Sequence, residues 1–375
     1  MSKKKEEALN ELKDTIDQLK DAVKGIDKDS AEKQLEIAKK AITKKYGDVV
    51  STLEQHGDMH IPTISTGCLS LDSALGCGGM GFGRIYEIYG PNSGGKSSLA
   101  VNVVIQAQRR GLKACYIDAE HAVDPKLFRN YGVNTKELEI VQGYDGEENL
   151  DILERLVKTG AFSVAVIDSV SALLPRVEAE ADIDEQQMGL QAKLMSKALR
   201  KITPIANQTQ TLLIFINQLR HKIGGYGNPE VTTGGEGLAF YATGRISVRG
   251  PEAKARRLVD ATNGEVYGHT TEFEIIKNKL AAPFKKAEVK LIYGRGYDAH
   301  WEILDMASST GVIDKSGAWY KYEGNNIAQG ELNAVSFLKD DANKDFYTKI
   351  REEVINRIGL KEVYERHSQQ GPIYS

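Results

Sequence analysis

The chain has 375 residues, 41% of them hydrophobic and 27% charged, with only 9 prolines, a composition that packs a core and excludes global disorder and collagen-like repeats. Three scattered cysteines, Cys68, Cys77 and Cys115, offer neither a metal spacing nor a disulfide framework, which points to a reducing, cytoplasmic setting. The net charge of −3, with a pI of about 6.2, does not announce a nucleic-acid partner, so any basic surface must come from local clustering.

No apolar run reaches the ~20 residues that cross a bilayer, and MSKKKEEALNEL at the N-terminus has no apolar stretch of the kind a secretory signal needs. Residues 1–57 read as a lysine- and glutamate-rich helical leader. Leu9, Leu12, Ile16, Leu19 and Val23 lay one narrow apolar stripe on a helix, which suits either a helix docked on a neighbour or a solvated arm. Gly25, Asp27 and Asp29 interrupt it. A second helix is predicted from Ser30, as N-cap, to Tyr46, with Gly47 as its stop.

From Ile61 the texture changes. Strands are predicted over 83–90, 113–120, 163–169 and 211–218, and helices over 96–110, 150–160 and 188–207. Apolar strands alternating with amphipathic helices make a mostly parallel sheet covered by helices on both faces, an α/β fold. GRISVRG, EFEIIKNK and AEVKLIYG then follow as consecutive strands, predicting an antiparallel extension from Gly244. A small α/β unit closes the chain. The expected division is a leader over 1–57, a core over 58–297 and a C-terminal domain over 298–375.

Gly90, Pro91, Asn92, Ser93, Gly94, Gly95, Lys96 and Ser97 fit G-x-x-x-x-G-K-[ST] between a predicted strand and a predicted helix, with Ser98 following. Glycines let backbone N–H groups turn inward on phosphate oxygens, and the helix N-terminus adds its dipole. Lys96 would reach the β- and γ-phosphates, and Ser97 would ligate Mg²⁺. Asp168 ends a buried apolar strand, where an acid is costly unless it meets a metal or donors. It is the expected second carboxylate, acting on Mg²⁺ through water. Glu120, at the end of another strand, can orient and deprotonate an attacking water, or simply start a loop. His121 reads as a structural residue, since no second His or Cys stands at metal spacing. Asn217 and Gln218 bring amides to the same sheet edge, where Gln218 could sense the γ-phosphate.

Two loops leave that edge. The first, 175–189, is acidic, but the helix behind it begins at Met188 and Gly189 and carries Lys193, Lys197 and Arg200 on one face, with Met195, Leu199 and Ile202 on another. A basic stripe of this kind is either a DNA contact or a solvated face. The second loop, 219–237, holds Arg220, Lys222, Tyr226, Asn228 and the run TTGGEG, which includes Thr233, Gly234 and Gly235. Such backbone-rich segments clamp phosphates.

TISTGCLSLDSALGCGGMGFGRIYEIYGPNSGGKSS, IDAEHAVDP, VIDSVSALLP, MGLQAK, LLIFINQLRHKIG, GNPEVTTGG, KNKLAAPFKKAE and GAWYKYEG together resemble the bacterial RecA recombinases over roughly residues 30–340. The resemblance implies a RecA-like P-loop core that uses ATP to build a filament on single-stranded DNA, pairs it with homologous duplex and exchanges strands in DNA repair. It implies that Glu120 is the catalytic carboxylate, Gln218 the γ-phosphate switch, and Lys277 and Lys279 the pair that reaches the neighbouring subunit's ATP. These two lysines alternate on a predicted strand and so share a face; edge lysines that discourage aggregation would look the same. Asp124 and Tyr293 would contact adenine, Gly234 and Gly235 hold DNA phosphates, Ile223 wedge between base triplets, and the leader's second helix dock on the adjacent subunit. Single-stranded DNA, double-stranded DNA and further copies of the chain are the implied partners; the resemblance raises a LexA-type repressor of the SOS response without deciding it.

The chain also departs from the family pattern. Residues 1–29 exceed the usual N-terminus, Leu127 stands where an adenine-stacking tyrosine is common, with Phe128 one position off, and the second loop is one residue shorter. Glu272 and Glu274 lie where basic residues tend to hold the second DNA, and ERHSQQGPIYS lacks an acidic tail, as in a divergent or phage-borne relative. Two other readings stand beside the recombinase. A hexameric helicase motor shares the P-loop, although KNKLAAPF and the GNPE–TTGG loop argue against it. A strand-coating filament with vestigial ATP use is opposed by Lys96, Ser97, Asp168, Glu120 and Gln218.

Overall fold

The computed structural model describes residues 28–47, 49–52, 61–182, 189–221, 230–251 and 256–369. The stripe over 9–23, and Met188, Lys222, Ile223, Tyr226 and Asn228, lie outside the described residues. In the leader one helix runs Lys28–Tyr46 and ends at Gly47, whose φ of 78° and N–H to the Thr43 carbonyl, 2.9 Å, close the last turn. It starts two residues before the expected Ser30, because a cap worth about 1 kcal/mol does not by itself fix where a helix begins.

Residues 61–375 form a separate unit built on one large sheet. Six strands run parallel in the spatial order Gly244–Arg249, Ile85–Gly90, Leu212–His221, Val164–Asp168, Ala114–Asp118 and Glu139–Val141. Val266–Asn278, Lys286–Ile292 and Gly296–Tyr297 continue it antiparallel. Gly244–Arg249 opens the expected antiparallel run by pairing antiparallel with Val266–Asn278, and its other edge joins the sheet parallel to Ile85–Gly90. The chain returns to the starting end through the second loop and the short helix Gly237–Tyr241, a crossover long enough for a parallel pair.

The strand period of two explains both cores. Leu212, Ile214 and Ile216 face one layer with Leu99, Val103 and Val104 of the helix Lys96–Arg109. Leu213 and Phe215 face the other with Leu153 and Val157 of Gly146–Lys158, and with Met195, Leu199 and Ile202 of Leu190–Gln208. Each such side chain contributes ~1.5–3 kcal/mol on burial, which holds the carboxyl ends of the strands rigidly at one edge. A third cluster fills the C-terminal elements, where Ala299–Ser309, Glu331–Lys339 and Lys344–Arg357 pack with a three-stranded sheet.

Candidate nucleotide site and DNA-facing loops

Strand register brings the expected chemistry to one edge, since Gly90 lies opposite Gln218 and Asp118 opposite Asp168. Ligands of open α/β sheets bind outside such carboxyl ends. At Gly90 a Cβ would come 2.1 Å from the Val248 carbonyl, so only glycine lets the chain leave the strand there. Gly95, at φ 101°, caps the helix that starts at Lys96. The first turn of such a helix leaves N–H groups without an intrahelical partner, at the positive end of its dipole. Asn92 and Ser93 are exposed and Pro91 half-buried, while Ser98 borders a cavity of about 190 Å³ with Asn102, Tyr131 and Tyr297.

Lys96 Nζ donates to the Pro91 carbonyl at 2.7 Å. Burial lowers the pKa of this ammonium, and the carboxylates of Asp168 and Glu120 oppose the shift, which puts all three groups in one electrostatic neighbourhood. Ser97 Oγ donates to Asp168 Oδ2 at 2.8 Å, and the Tyr116 hydroxyl donates to the same oxygen at 2.6 Å. Burial raises the pKa of Asp168, while hydrogen bonds from Tyr116 and Ser97 pull it down. A hydroxyl and a carboxylate are hard oxygen donors that suit Mg²⁺ completed by phosphate and water oxygens. Among the described residues no group of three or more His, Cys, Asp or Glu could hold a metal alone. His121 is exposed, with φ 52°.

The second strand stops at Asp118, two residues short of the expected end, so Glu120 stands in the turn that follows. Asp118, which sequence reasoning passed over, builds that turn. Its buried carboxylate accepts the N–H groups of Ala122 and Val123 at 3.0 and 3.1 Å, and the Gln142 amide at 2.9 Å. Glu120 Oε1 accepts from Gln218 Nε2 at 3.2 Å and from Ser169 Oγ. The expected base and the expected switch are therefore joined directly.

Asn217 is fully buried and begins a polar chain. Its Nδ2 donates to Glu87 Oε1 at 2.9 Å and to the Thr233 carbonyl at 3.0 Å, and Thr233 Oγ1 donates back to Asn217 Oδ1 at 2.5 Å. Arg245 Nε closes on Glu87 Oε2 at 2.5 Å. Glu87 and Arg245 were also missed; an acid within an apolar strand was the available signal.

Lys277 lies one residue before the end of its strand and Lys279 one residue beyond it. The strand ends at Asn278, its pairing slips between Ile275 and Lys277, and Lys279 lies beyond it, exposed. Lys277 Nζ donates to the carbonyls of Ala239 and Phe240 at 2.6 and 3.1 Å; burial lowers its pKa, and Lys279 nearby adds to the shift. Asp124 caps the helix Pro125–Tyr131 by accepting from the Lys126 N–H at 2.7 Å. Phe128 packs edge-on against Tyr116, ring centroids 5.5 Å apart, whereas Leu127 and Tyr293 are exposed.

Of the residues expected at DNA, Gly189 has φ 77° and caps the helix Leu190–Gln208, on which Lys193, Lys197 and Arg200 are exposed. Arg220 is exposed on the long strand. Gly234 and Gly235 have φ of 79° and 74°, and a Cβ on either would come 2.8 Å from Val170 or 2.7 Å from Ala192, so glycine is required at both. Glu272 pairs with Arg256 at 2.9 Å and Lys286 at 3.4 Å, and Glu274 with Lys286 at 3.6 Å.

Residues 33–298 match the RecA N-terminal domain family and residues 301–359 the RecA C-terminal domain family. Protein RecA of Desulforapulum autotrophicum is 50% identical over 301 residues, 80% of this chain and 84% of that protein. Protein RecA of Listeria monocytogenes is 45% identical over 333 residues, 88% of this chain and 92% of that protein. The crystal structure of the RadB recombinase superposes with a TM-score of 0.48 at 23% identity, over 63% of this chain and 98% of that one. No helix among the described residues is long and apolar enough to cross a membrane. With both domain families matched along most of its length, and relatives at 45–50% identity, the chain belongs to the RecA family, the DNA-dependent ATPases of recombination and repair.

Proposed function

We propose that the nucleotide is ATP, bound with Mg²⁺, and that hydrolysis at the Gly90–Ser98 edge is coupled to single-stranded DNA through Gln218. The observation that carries this reading is the hydrogen bond between Gln218 and Glu120 beside Lys96 and Asp168. Glu120 would orient the attacking water and take its proton. Lys96 would exchange the Pro91 carbonyl for β- and γ-phosphate oxygens. Mg²⁺, held by Ser97 and through water by Asp168, would supply charge neutralisation on the phosphates. Gln218 would exchange Glu120 for the γ-phosphate, and its strand leads straight into the second loop.

Asp124 and Tyr293 are our adenine contacts. Lys277 and Lys279 would act on the ATP of a neighbouring copy in a helical filament, with Lys279 already exposed and Lys277 tethered to two carbonyls. Met188, Gly189, Lys193, Arg200, Arg220, Ile223, Tyr226, Thr233, Gly234 and Gly235 are the proposed DNA contacts. The division at 57/58 and 297/298, a cytoplasmic location and a LexA-type repressor as further partner complete the proposal.

The test is ATP hydrolysis with and without unstructured single-stranded DNA at low and moderate salt. Strong, salt-sensitive stimulation is expected. Tight DNA binding without turnover would instead favour a strand-coating filament, the reading that Glu272 and Glu274 support by occupying Arg256 and Lys286. Rings that unwind duplex would favour a helicase.

A further inference from the structure

His269 lies on the strand Val266–Asn278, 1% exposed, where that strand passes behind the P-loop. Its Nδ1 is 3.2 Å from the Tyr293 hydroxyl, with ring centroids 5.6 Å apart and planes tilted by 54°. Its Nε2 is closed off from solvent and falls short of a well-formed hydrogen bond, although the ring lies close enough to the Gly94 backbone to feel it. That nitrogen faces the seam between the P-loop and Gly250: a Cβ on Gly250 would come 2.7 Å from Gly94 Cα and 3.1 Å from His269 Nε2. Thr271, two residues along and so on the same strand face, donates to the Gly94 carbonyl at 3.4 Å. Tyr297 donates to the Gly95 carbonyl at 3.3 Å. The antiparallel extension thus supports the back of the phosphate loop at three points.

Burial holds the imidazole below the usual histidine pKa, and the Gly94 backbone acts in the opposite sense. The ring is therefore neutral near pH 7, with one donor and one acceptor nitrogen. If Nδ1 accepts the Tyr293 hydroxyl, Nε2 carries the hydrogen and points it at Gly94. An apolar side chain would fill this space without the cost of burying a polar ring. Tyr293 itself is 47% exposed: its hydroxyl is held by His269 while about half of the residue stays open to solvent, one side chain away from the loop expected to take the phosphates.

We propose that His269 is a positioning residue of the nucleotide site, fixing the Tyr293 ring against the base while resting its other nitrogen on Gly94, so that base and phosphates are registered through one imidazole. The inference rests on the nucleotide site proposed above and names the part of it that selects a base.

The test uses the full chain and two ligands, ATP and inorganic tripolyphosphate, with dissociation constants measured by titration calorimetry in the presence of Mg²⁺. Replacing His269→Leu fills the space but removes the hydrogen bond. ATP should then bind about three- to tenfold more weakly, as for one neutral hydrogen bond, while tripolyphosphate, which has no base, should bind as before. The KM for ATP should rise with kcat at saturation retained, and His269→Asn, which places an acceptor near the Nδ1 position, should recover part of the loss. Tyr293→Phe, a change on an exposed ring that spares the fold, should cost the same, and combining it with His269→Leu should add little. Equal losses for ATP and tripolyphosphate would reduce His269 to a prop for the loop and overturn the proposal. So would unchanged ATP affinity in Tyr293→Phe. Lys96→Ala separates the two levels: if it still binds ATP, the site itself is wrong, whereas lost binding there beside unchanged His269 and Tyr293 variants rejects this inference alone.

Discussion

Glu120 Oε1 receives two hydrogen bonds, from Gln218 and from Ser169, and a glutamine in its place keeps an oxygen able to accept both. Glu120→Gln should therefore preserve the local geometry and ATP affinity while removing the proposed base. Turnover should fall by at least ~10²-fold, the usual worth of a positioned general base, as read by single-turnover hydrolysis beside equilibrium binding. Turnover within a few-fold of the parent would assign the proton to another group. At this scale the motif residues were readable in the chain, because the roles proposed for Lys96, Ser97 and Asp168 follow from their position at a helix start and a strand end. Tyr116 and Ser169 were not readable. Their importance lies in hydrogen bonds to Asp168 and Glu120 across strands, which no local spacing announces.

Three strands and a loop meet at Glu87, Asn217, Arg245 and Thr233. A buried polar chain is rigid when every member is satisfied and costly when one is removed. Asn217→Ala would leave Glu87 Oε1 without its amide donor, a cost of ~1–3 kcal/mol, and would release Thr233 from the strand that carries Gln218. DNA stimulation of hydrolysis should then drop about tenfold or more, equivalent to ~1.4 kcal/mol of lost coupling. The ratio of rates with and without single-stranded DNA measures it, and an unaltered ratio would exclude this chain as the connection. Elements with strong patterns, such as the helix Lys96–Arg109 and the strand Leu212–His221, were legible within a few residues. The slipped pairing before Lys277 and the parallel direction of Gly244–Arg249 were not, since both depend on the partner strand.

Two buried carboxylates link the C-terminal elements to the start of the core. Glu302 Oε1 accepts from Ser70 N at 2.9 Å and Ser70 Oγ at 2.5 Å, and Asp72 Oδ2 accepts the Tyr364 hydroxyl at 2.6 Å. Burial pushes Glu302 from 4.5 up to about 7 and Asp72 from 3.8 up to about 6. Since both pKa values are higher in the folded state than in the unfolded chain, folding binds protons. The stabilisation is fully present below about pH 4 and is lost as pH rises through 6 to 7. Glu302→Gln should flatten this decline, and the stability difference between parent and variant should change by roughly 3 kcal/mol from pH 4.5 to 7.5. Denaturant midpoints across that range check it. Parallel profiles would mean that Glu302 titrates like an exposed acid.

The amino-acid order by itself determined the α/β class, the glycine-rich loop between strand and helix, Asp168 at its strand end and the family resemblance, because each is carried by contiguous residues or a short period. Only the tertiary structure decided which strands run parallel, that Phe128 packs in the core against Tyr116, that Glu120 bonds Gln218, and that His269 meets the Tyr293 hydroxyl behind the P-loop. The physical reason is separation along the chain. Asn217 and Glu87 are 130 residues apart, and Ser70 and Glu302 are 232 apart; such pairs meet only after sheet register and layer packing have brought them together.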